Sequence, residues 1–425
     1  MIDIKYIRAN TDEVRQAIKN KNEKADLDAL LRIDEERRQL QFEFDNLRAE
    51  QNKVSKMIGQ KKKEGGDASE LLAEMGSVAE RIKALNSNLG RVNEQLEALL
   101  LTIPNIPHPS TPIGRDDSCN VDISSWGEKP SFDFEPRDHL SLAEENNLLD
   151  LPRGARISGS GFPVYTGFGA GLERALINFM LDLHIREHGY TELAVPVLVT
   201  RKTMTGTGQL PKLEEDMYRI EQDDLFLIPT AEVPVTNIYG GEVLAQADLP
   251  LKYVAYTPCF RREAGSYGKD TRGLQRLHQF NKVEMVRFVE PETSYDVLEE
   301  MLKDAEDVLR ALGLHYRVRQ LCSGDLSFAS AKTYDIEVWA PGSQKYLEVS
   351  SVSNFGEFQA RRANIRYRDQ QGRINYLHTL NGSGVATPRL MIALLETYQT
   401  RNGGLRLPEI IAGKLAPNHQ SKDLS

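Results

Sequence analysis

Apolar residues fall at Leu71, Met75, Val78, Ile82, Leu85, Leu89, Val92, Leu96 and Leu99, with spacings that alternate four and three without a break. This is the a/d repeat of a coiled coil, held for about four heptads. A less regular seam precedes it: Ile33, Leu40, Phe44, Leu47, Val54 and Ile58, interrupted by Arg37 and Gln51. Between the seams, Lys61-Lys-Lys-Glu-Gly-Gly-Asp67 offers two glycines for a chain reversal, and Asp67 or Ser69 as the cap of a second helix. The pattern predicts an antiparallel helical hairpin. An arm of about 30 residues reaches roughly 45 Å at 1.5 Å per residue.

The texture then changes. Prolines at 104, 107, 109 and 112 within Thr102–Ser118 predict an extended linker and a domain boundary. Beyond it, Ala170–His188 reads as a helix and Glu192–Val199 as a strand broken by Pro196. Tyr253–Phe260, Lys282–Phe288, Asp335–Val338 and Tyr346–Val349 read as further strands. Thr387–Thr400 reads as a helix with Thr387 as N-cap and Pro388 in its first turn. Mixed order with few βαβ repeats predicts an α+β fold on an antiparallel sheet. The expected division is 1–101 for the hairpin domain, 102–118 for the linker, 119–416 for the α+β domain and 417–425 for a polar tail.

Composition narrows the class. The 425 residues are 40% hydrophobic and 27% charged, enough apolar material for a core and too much for a disordered chain. No apolar run approaches the roughly 20 residues of a membrane span, and the first ten residues do not read as a secretory signal. Cys119, Cys259 and Cys322 lie far apart, which argues against a disulfide framework or a zinc cluster and for a reducing, cytoplasmic setting. The net charge of −9 argues against nucleic-acid binding. A local feature opposes that: from Gln51 to Lys63 there are five lysines and no acid. Lys53, Lys56, Lys61, Lys62 and Lys63 put a cationic end on an acidic rod, which suits a phosphate backbone. An oligomerisation coiled coil with a solvated tip remains the competing interpretation of the arm.

The chemistry-bearing residues cluster in the second part. They are Phe260-Arg261-Arg262-Glu263, Arg276-Leu-His-Gln-Phe280, Thr230-Ala-Glu232, Glu348-Val-Ser-Ser351 and Leu380-Asn-Gly-Ser-Gly384 before Pro388-Arg389. Arg261 and Glu263, two apart, would share a strand face and could simply pair; a Gly-rich turn before a helix is common. There is neither a Walker A loop nor a GxGxxG motif after a strand, so a P-loop or Rossmann site is not expected. Taken together, these runs are specific. With the IPNIPH linker, GYTE…P (Gly189–Pro196), CFRREAGSYGKDTRGL (Cys259–Leu274), HQFNKVEM (His278–Met285) and EVSSVSNFGEFQARR (Glu348–Arg362), the chain resembles the class II aminoacyl-tRNA synthetases along essentially its whole length, and within them the seryl branch.

The resemblance implies an antiparallel class II catalytic domain preceded by a tRNA-binding helical arm. It places motif 1 on the Leu172–His188 helix and the strand to Pro196, motif 2 on Cys259–Met285 and motif 3 on Leu380–Arg389. It implies a cytoplasmic homodimer that joins L-serine to ATP and passes it to tRNA(Ser), and to tRNA(Sec) where one exists, with tRNA bound across subunits. Arg261 and Arg389 become the catalytic arginines. ATP falls to Arg261, Arg262, Glu263, Leu277, Phe280, Glu348, Val349, Ser350, Ser351 and Arg389. Serine falls to Thr230, Ala231, Glu232, Arg261, Glu284, Asn381 and Ser383. Mg²⁺ between phosphates falls to Glu348 and Ser351 as hard oxygen ligands, and tRNA to the five tip lysines. One departure is Pro388, where the broader class often carries an acid before the motif-3 arginine. A carrier-protein ligase, a non-catalytic paralogue and a structural coiled coil are the competing interpretations. The complete arm speaks against the first, the retained Arg261, Glu263, Glu284 and Arg389 against the second, and motifs 2 and 3 against the third.

Overall fold

The computed structural model describes residues 1–264 and 272–415. The centre of the motif-2 loop and the tail from Pro417 to Ser425 lie outside the described residues. The chain forms two compact units: Met1–Lys19 with Glu23–Pro104, and Asn20–Asn22 with Asn105–Ser425.

The first unit contains the expected hairpin, preceded by two short helices over Ile4–Ala9 and Thr11–Asn20 that were not anticipated. Helix α1 spans Leu27–Lys63 and helix α2 spans Ser69–Leu100. Leu47 on α1 packs with Val78 and Ile82 on α2, and Val54 and Ile58 pack with Leu71 and Met75, while Leu89, Val92 and Leu96 are buried further along α2. The seam drifts at its end, where Leu100 is buried and Leu99 is half-exposed. Of the two turn glycines only Gly65 uses its freedom, at φ +71°. Neither Asp67 nor Ser69 is the N-cap: that position is Ala68, and Asp67, one residue earlier, accepts from Ser69 N through Oδ1 at 3.0 Å. Near the base of α1, Asp34 is fully buried among Arg8, Arg37 and Arg38 at 3.0–3.4 Å. The tip lysines are all exposed.

In the second unit the proline-rich stretch is irregular and tied down. Asn105 Nδ2 donates to the Ala329 and Phe355 carbonyls at 2.8 Å, and His108 N donates to Ala331 O. Its last residues close in a 3₁₀ turn at Asp117–Cys119.

The centre is an eight-stranded sheet. Its strands are β1 (Val121–Trp126), β2 (Thr191–Glu192), β3 (Leu251–Phe260), β4 (Gln279–Val289), β5 (Tyr316–Gln320), β6 (Lys332–Ala340), β7 (Lys345–Asn354) and β8 (His378–Ala386). The spatial order is β1-β5-β6-β7-β8-β4-β3-β2. Every ladder is antiparallel except β2 with β3. Helices α3 (Gly167–Arg186), α4 (Ser294–Ala311) and α5 (Thr387–Thr397) pack on one face. Leu172, Leu176, Met301, Leu390 and Leu394 meet Val283, Met285, Ile336, Val349 and Leu380 there. At about 25 cal/mol per Å², such burial is the main favourable term.

Four expectations need correction. The 192–199 stretch is not one strand: Thr191–Glu192 joins the large sheet, whereas Leu198–Thr200 pairs with Leu225–Leu227 in a small one. Pro196 between them has no amide to continue a ladder. Thr387 is the first residue of α5 and Ala386 the N-cap, because the Thr387 hydroxyl donates to Glu173. Leu380–Gly384 is not a turn but the middle of β8. There Gly384 leaves room for His184, whose Nε2 lies 2.4 Å from where a Cβ would be. Arg261 and Glu263 lie past the end of β3 and share no strand face; Glu263 has φ +52°.

A buried ion network fixes α4 to β4. Arg287, 2% exposed, reaches Asp304 Oδ2 at 2.6 Å, Glu300 at 2.7 Å and the Tyr190 hydroxyl at 2.8 Å. Asp304→Ala is expected to cost about 3 kcal/mol by leaving Arg287 underpaired in the core, with Asp304→Asn costing less. The urea midpoint, followed by fluorescence of Trp126 and Trp339, checks this, since both lie in the second unit.

Candidate active site

Strand alternation sorts β4 into two faces. Asn281, Val283, Met285 and Arg287 turn to the helices, so Phe280, Lys282 and Glu284 turn to the opposite face. On β8, Asn381 and Ser383 share that second face, and Ser383 stands directly across from Glu284.

Two carboxylates are buried there. Glu284 is 1% exposed and accepts from Asn381 Nδ2 at 3.0 Å and Ser383 Oγ at 3.4 Å, with Lys282 Nζ 2.6 Å from its Oε2. Glu232 opens a short helix, Glu232–Thr236, and its amide donates to Thr230 Oγ1 at 3.2 Å. Its Oε1 accepts from Gln359 Nε2 at 2.6 Å, while Gln359 Oε1 accepts from Thr379 at 2.7 Å. Burial, then the charge of Glu284, pushes the Glu232 carboxyl up to about 7, against the pull of Gln359, Lys282 and Arg261. Five predicted residues therefore meet here: Thr230, Glu232, Glu284, Asn381 and Ser383. Ala231 is buried in the apolar cluster behind them.

Lys282 and Gln359 are further members of this cluster that the sequence reading missed. Lys282 was open to discovery, because it sits midway in the period-two run Phe280, Lys282, Glu284. Gln359 carries no comparable sign; only the tertiary fold brings it to Glu232.

Arg261 N donates to His278 O at 2.9 Å, and its guanidinium lies 5.2 Å from the Phe280 ring centre. Glu263 is bound by Arg276, not by Arg261. Arg262 is exposed, and its amide donates to Asp216 O at 3.0 Å; Leu277 is buried. Arg389, in the first turn of α5, donates from Nε to Gln275 O at 3.1 Å and from Nη1 to Glu348 O at 2.8 Å. Pro388 sits in the same turn, and two carbonyls set the pose of Arg389.

Glu348 and Ser351 are three apart, and regular alternation would put them on opposite faces. A bulge removes the conflict: Ile336 pairs with Ser350 and Glu337 with Glu348, which leaves Val349 as the extra residue. The consequence divides the predicted run. Val349 enters the helix-side core and the Ser350 hydroxyl donates to Ser383 O at 2.6 Å, so neither side chain is free for a ligand. Beside Ser351, in direct register, stands Asp335, another residue not anticipated. Its Oδ1 is buried with no hydrogen-bond partner. Burial, then the charge of Glu348, raises its carboxyl well above the usual range. Among the described residues no group of three His, Cys, Asp or Glu side chains is placed to hold a metal alone.

A mostly antiparallel sheet with helices on one face and a charged, carboxylate-lined opposite face is the architecture of a class II aminoacyl-tRNA synthetase. Family models agree: residues 215–398 match the tRNA synthetase class II core domain (G, H, P, S and T), and residues 1–107 match the seryl-tRNA synthetase N-terminal domain. The serine–tRNA ligase of Geobacter sulfurreducens is 52% identical over 97% of each chain, and that of Caldicellulosiruptor bescii 54% over 97% of this chain and 98% of its own. The crystal structure of Pyrococcus horikoshii seryl-tRNA synthetase complexed with ATP superposes with a TM-score of 0.91 at 36% identity, covering 99% of both chains. The chain belongs to the serine–tRNA ligase family.

The raised carboxyl of Glu232 has a sign that can be checked. The folded state holds this proton to about pH 7, whereas an ordinary carboxyl releases it near 4.5. Its stabilising contribution is therefore full below 4.5 and is lost as pH rises to 7. Relative to Glu232→Gln, the protein is expected to lose about 3 kcal/mol across that window and to change little above it. Paired urea titrations from pH 5 to 8 give the difference directly.

Proposed function

We propose that the chain activates L-serine with ATP, forming seryl-adenylate and pyrophosphate, and transfers serine to the terminal ribose of tRNA(Ser), and of tRNA(Sec) where present. The observation that carries this is the buried pair Glu232 and Glu284 beside Asn381 and Ser383. A site of two carboxylates with polar neighbours suits one ammonium and one hydroxyl. Alanine leaves those buried groups unpaired and is rejected. Threonine is rejected by lack of room for its methyl.

The first step needs no general base, because the nucleophile is already a carboxylate. It needs alignment and relief of negative charge at phosphorus. Arg261 takes that role, bridging the serine carboxylate and the α-phosphate in a bidentate fork. Its position over Phe280, and its electrostatic pull on Glu232, support this. Phe280 and Arg389 sandwich the adenine, with Arg389 also meeting the distal phosphate. Glu263 accepts from the adenine amino group, and Leu277, with Arg262 beside it, lines the pocket. Val349 and Ser350 contribute backbone only.

Mg²⁺ fits the face of Glu348 and Ser351, where the orphaned Oδ1 of Asp335 adds a further hard oxygen. These residues would hold the ion together with ATP phosphate oxygens, where it supplies neutralisation of phosphate charge. The same proposal includes a homodimer in the cytoplasm, with tRNA bound across subunits. Its support is the motif-1 stretch, the unbonded cysteines and the absence, among the described residues, of a helix able to cross a membrane.

Two measurements test the reading. Pyrophosphate exchange without tRNA, run with each of the twenty amino acids and magnesium, is expected to respond to serine alone. Arg261→Ala should lower it at least a hundredfold, and exchange driven by another amino acid would overturn the pocket assignment. Deleting Asp26 to Leu101 is expected to spare serine-dependent exchange and abolish tRNA charging. Replacing Lys53, Lys56 and Lys61 to Lys63 by Ala should weaken charging most at low salt and flatten its salt dependence.

A further inference from the structure

Two of the three cysteines, 203 positions apart, meet beside Gly114. A Cβ built on Gly114 would lie 2.3 Å from Cys119 Cβ and 2.9 Å from both Cys322 Cβ and Cys322 Sγ. The two β-carbons are therefore within about 5 Å of each other, near the separation a disulfide spans. Glycine at 114 leaves the space between them open.

The backbone around them is laced tightly. Ser323 N donates to Pro112 O at 2.8 Å and Gly324 N to Gly114 O at 3.0 Å. Asn120 bridges the two segments, accepting from Cys322 N at 2.9 Å and donating to Asp325 at 2.8 Å. One carbonyl, that of Asp116, accepts from both Cys119 N at 2.9 Å and Cys322 Sγ at 3.2 Å. These bonds hold the two cysteine-bearing segments side by side. Their exposures differ: Cys119 is open to solvent and Cys322 is buried. Backbone amides of Arg115 and Asp116, and then Ser118, hold the Cys119 thiol below its ordinary range, which favours the nucleophilic thiolate.

We propose that Cys119 and Cys322 form a reversible thiol–disulfide pair, with Cys119 as the attacking and Cys322 as the resolving thiol. The oxidant is a small-molecule disulfide such as oxidised glutathione. Cys119 gives its proton to solvent, and its thiolate attacks one sulfur of the oxidant. The oxidant's S–S bond breaks, one thiolate leaves and takes up a proton, and a mixed disulfide remains on Cys119. Cys322, deprotonated in turn, attacks Cys119 Sγ and expels the second small thiol. Two protein thiols are oxidised and one small disulfide is reduced to two thiols. The product ties the segment entering β1 to the connection between β5 and β6. It is independent of the serine-activation reading, since neither cysteine touches that site.

The test uses the full chain incubated with oxidised glutathione, quenched with N-ethylmaleimide, digested and examined by mass spectrometry. The expected result is a peptide pair joined through Cys119 and Cys322 in most molecules, lost on reduction with dithiothreitol, with Cys259 alkylated only after unfolding. Cys119→Ser should abolish the reaction, and Cys322→Ser should leave a lasting glutathione adduct on Cys119. A lasting adduct on Cys119 of the unsubstituted protein, free alkylation of both thiols, or a bond between two chains would each overturn the proposal. The unsubstituted protein decides the question even where Cys322→Ser does not fold.

Discussion

The second unit is organised around a carboxylate pair that water would keep apart. Glu232 and Glu284 are 7% and 1% exposed, and the charge of Glu284 raises the cost of charging Glu232. Burying charge in this way is tolerable only when cations and donors are fixed around it. Lys282 supplies the cation, and Asn381, Ser383 and Gln359 the donors. These come from β4, from β8 and from the helical turn after β7, so the pair exists only when those elements are assembled. In the proposed reaction the substrate ammonium completes this arrangement. The pocket is thus left short of one positive charge by construction, and serine supplies it.

Sheet register does the remaining positioning. A single extra residue at Val349 shifts the alternation of β7, so that Glu348 and Ser351 share a face while Val349 serves the core. A second irregularity, between Lys282 and Glu284 against β8, lets Ser383 face Glu284 while Val385 returns to the helix side. Each bulge converts a spacing unfit for a strand into a usable constellation.

This explains what could be read from sequence. The hairpin was largely legible, because a heptad seam between two helices is a local and repeated signal; its two ends slipped, on α2 from Leu99 to Leu100 and on α1 from Ile33 to Leu30 and Asp34. The motif residues were legible through resemblance. Their faces were not, because bulges are invisible to a periodicity count: Val349 and Ser350 could not be told from Glu348 and Ser351. Strands came out short at β6 and β7, where polar residues such as Thr333 and Ser353 are buried and bonded to each other rather than meeting solvent. Gln359 and Asp335 were missed because each acts through a partner distant in sequence. The Leu380–Gly384 run was misjudged by composition, since its glycines serve close packing: Gly382 against Val352 and Met285, Gly384 against His184.

One further carboxylate shows how the three motif stretches are held together. Glu173 on α3 is 6% exposed and accepts from Asn281 Nδ2 of β4 at 2.9 Å and from the Thr387 hydroxyl at the start of α5. The same hydroxyl lies 3.1 Å from Asn281 O, so motif 1, motif 2 and motif 3 meet at one polar point inside an apolar layer. Desolvation raises the Glu173 carboxyl, and its Oε2 has no partner among the described residues. Such a group costs stability wherever it lacks its neighbours, and it therefore penalises every arrangement in which β4 and α5 are out of place. Arg389 begins its turn two residues after Thr387, and Phe280 precedes Asn281. A carboxylate remote from the proposed substrate thereby sets the relative position of the two side chains proposed to hold the adenine.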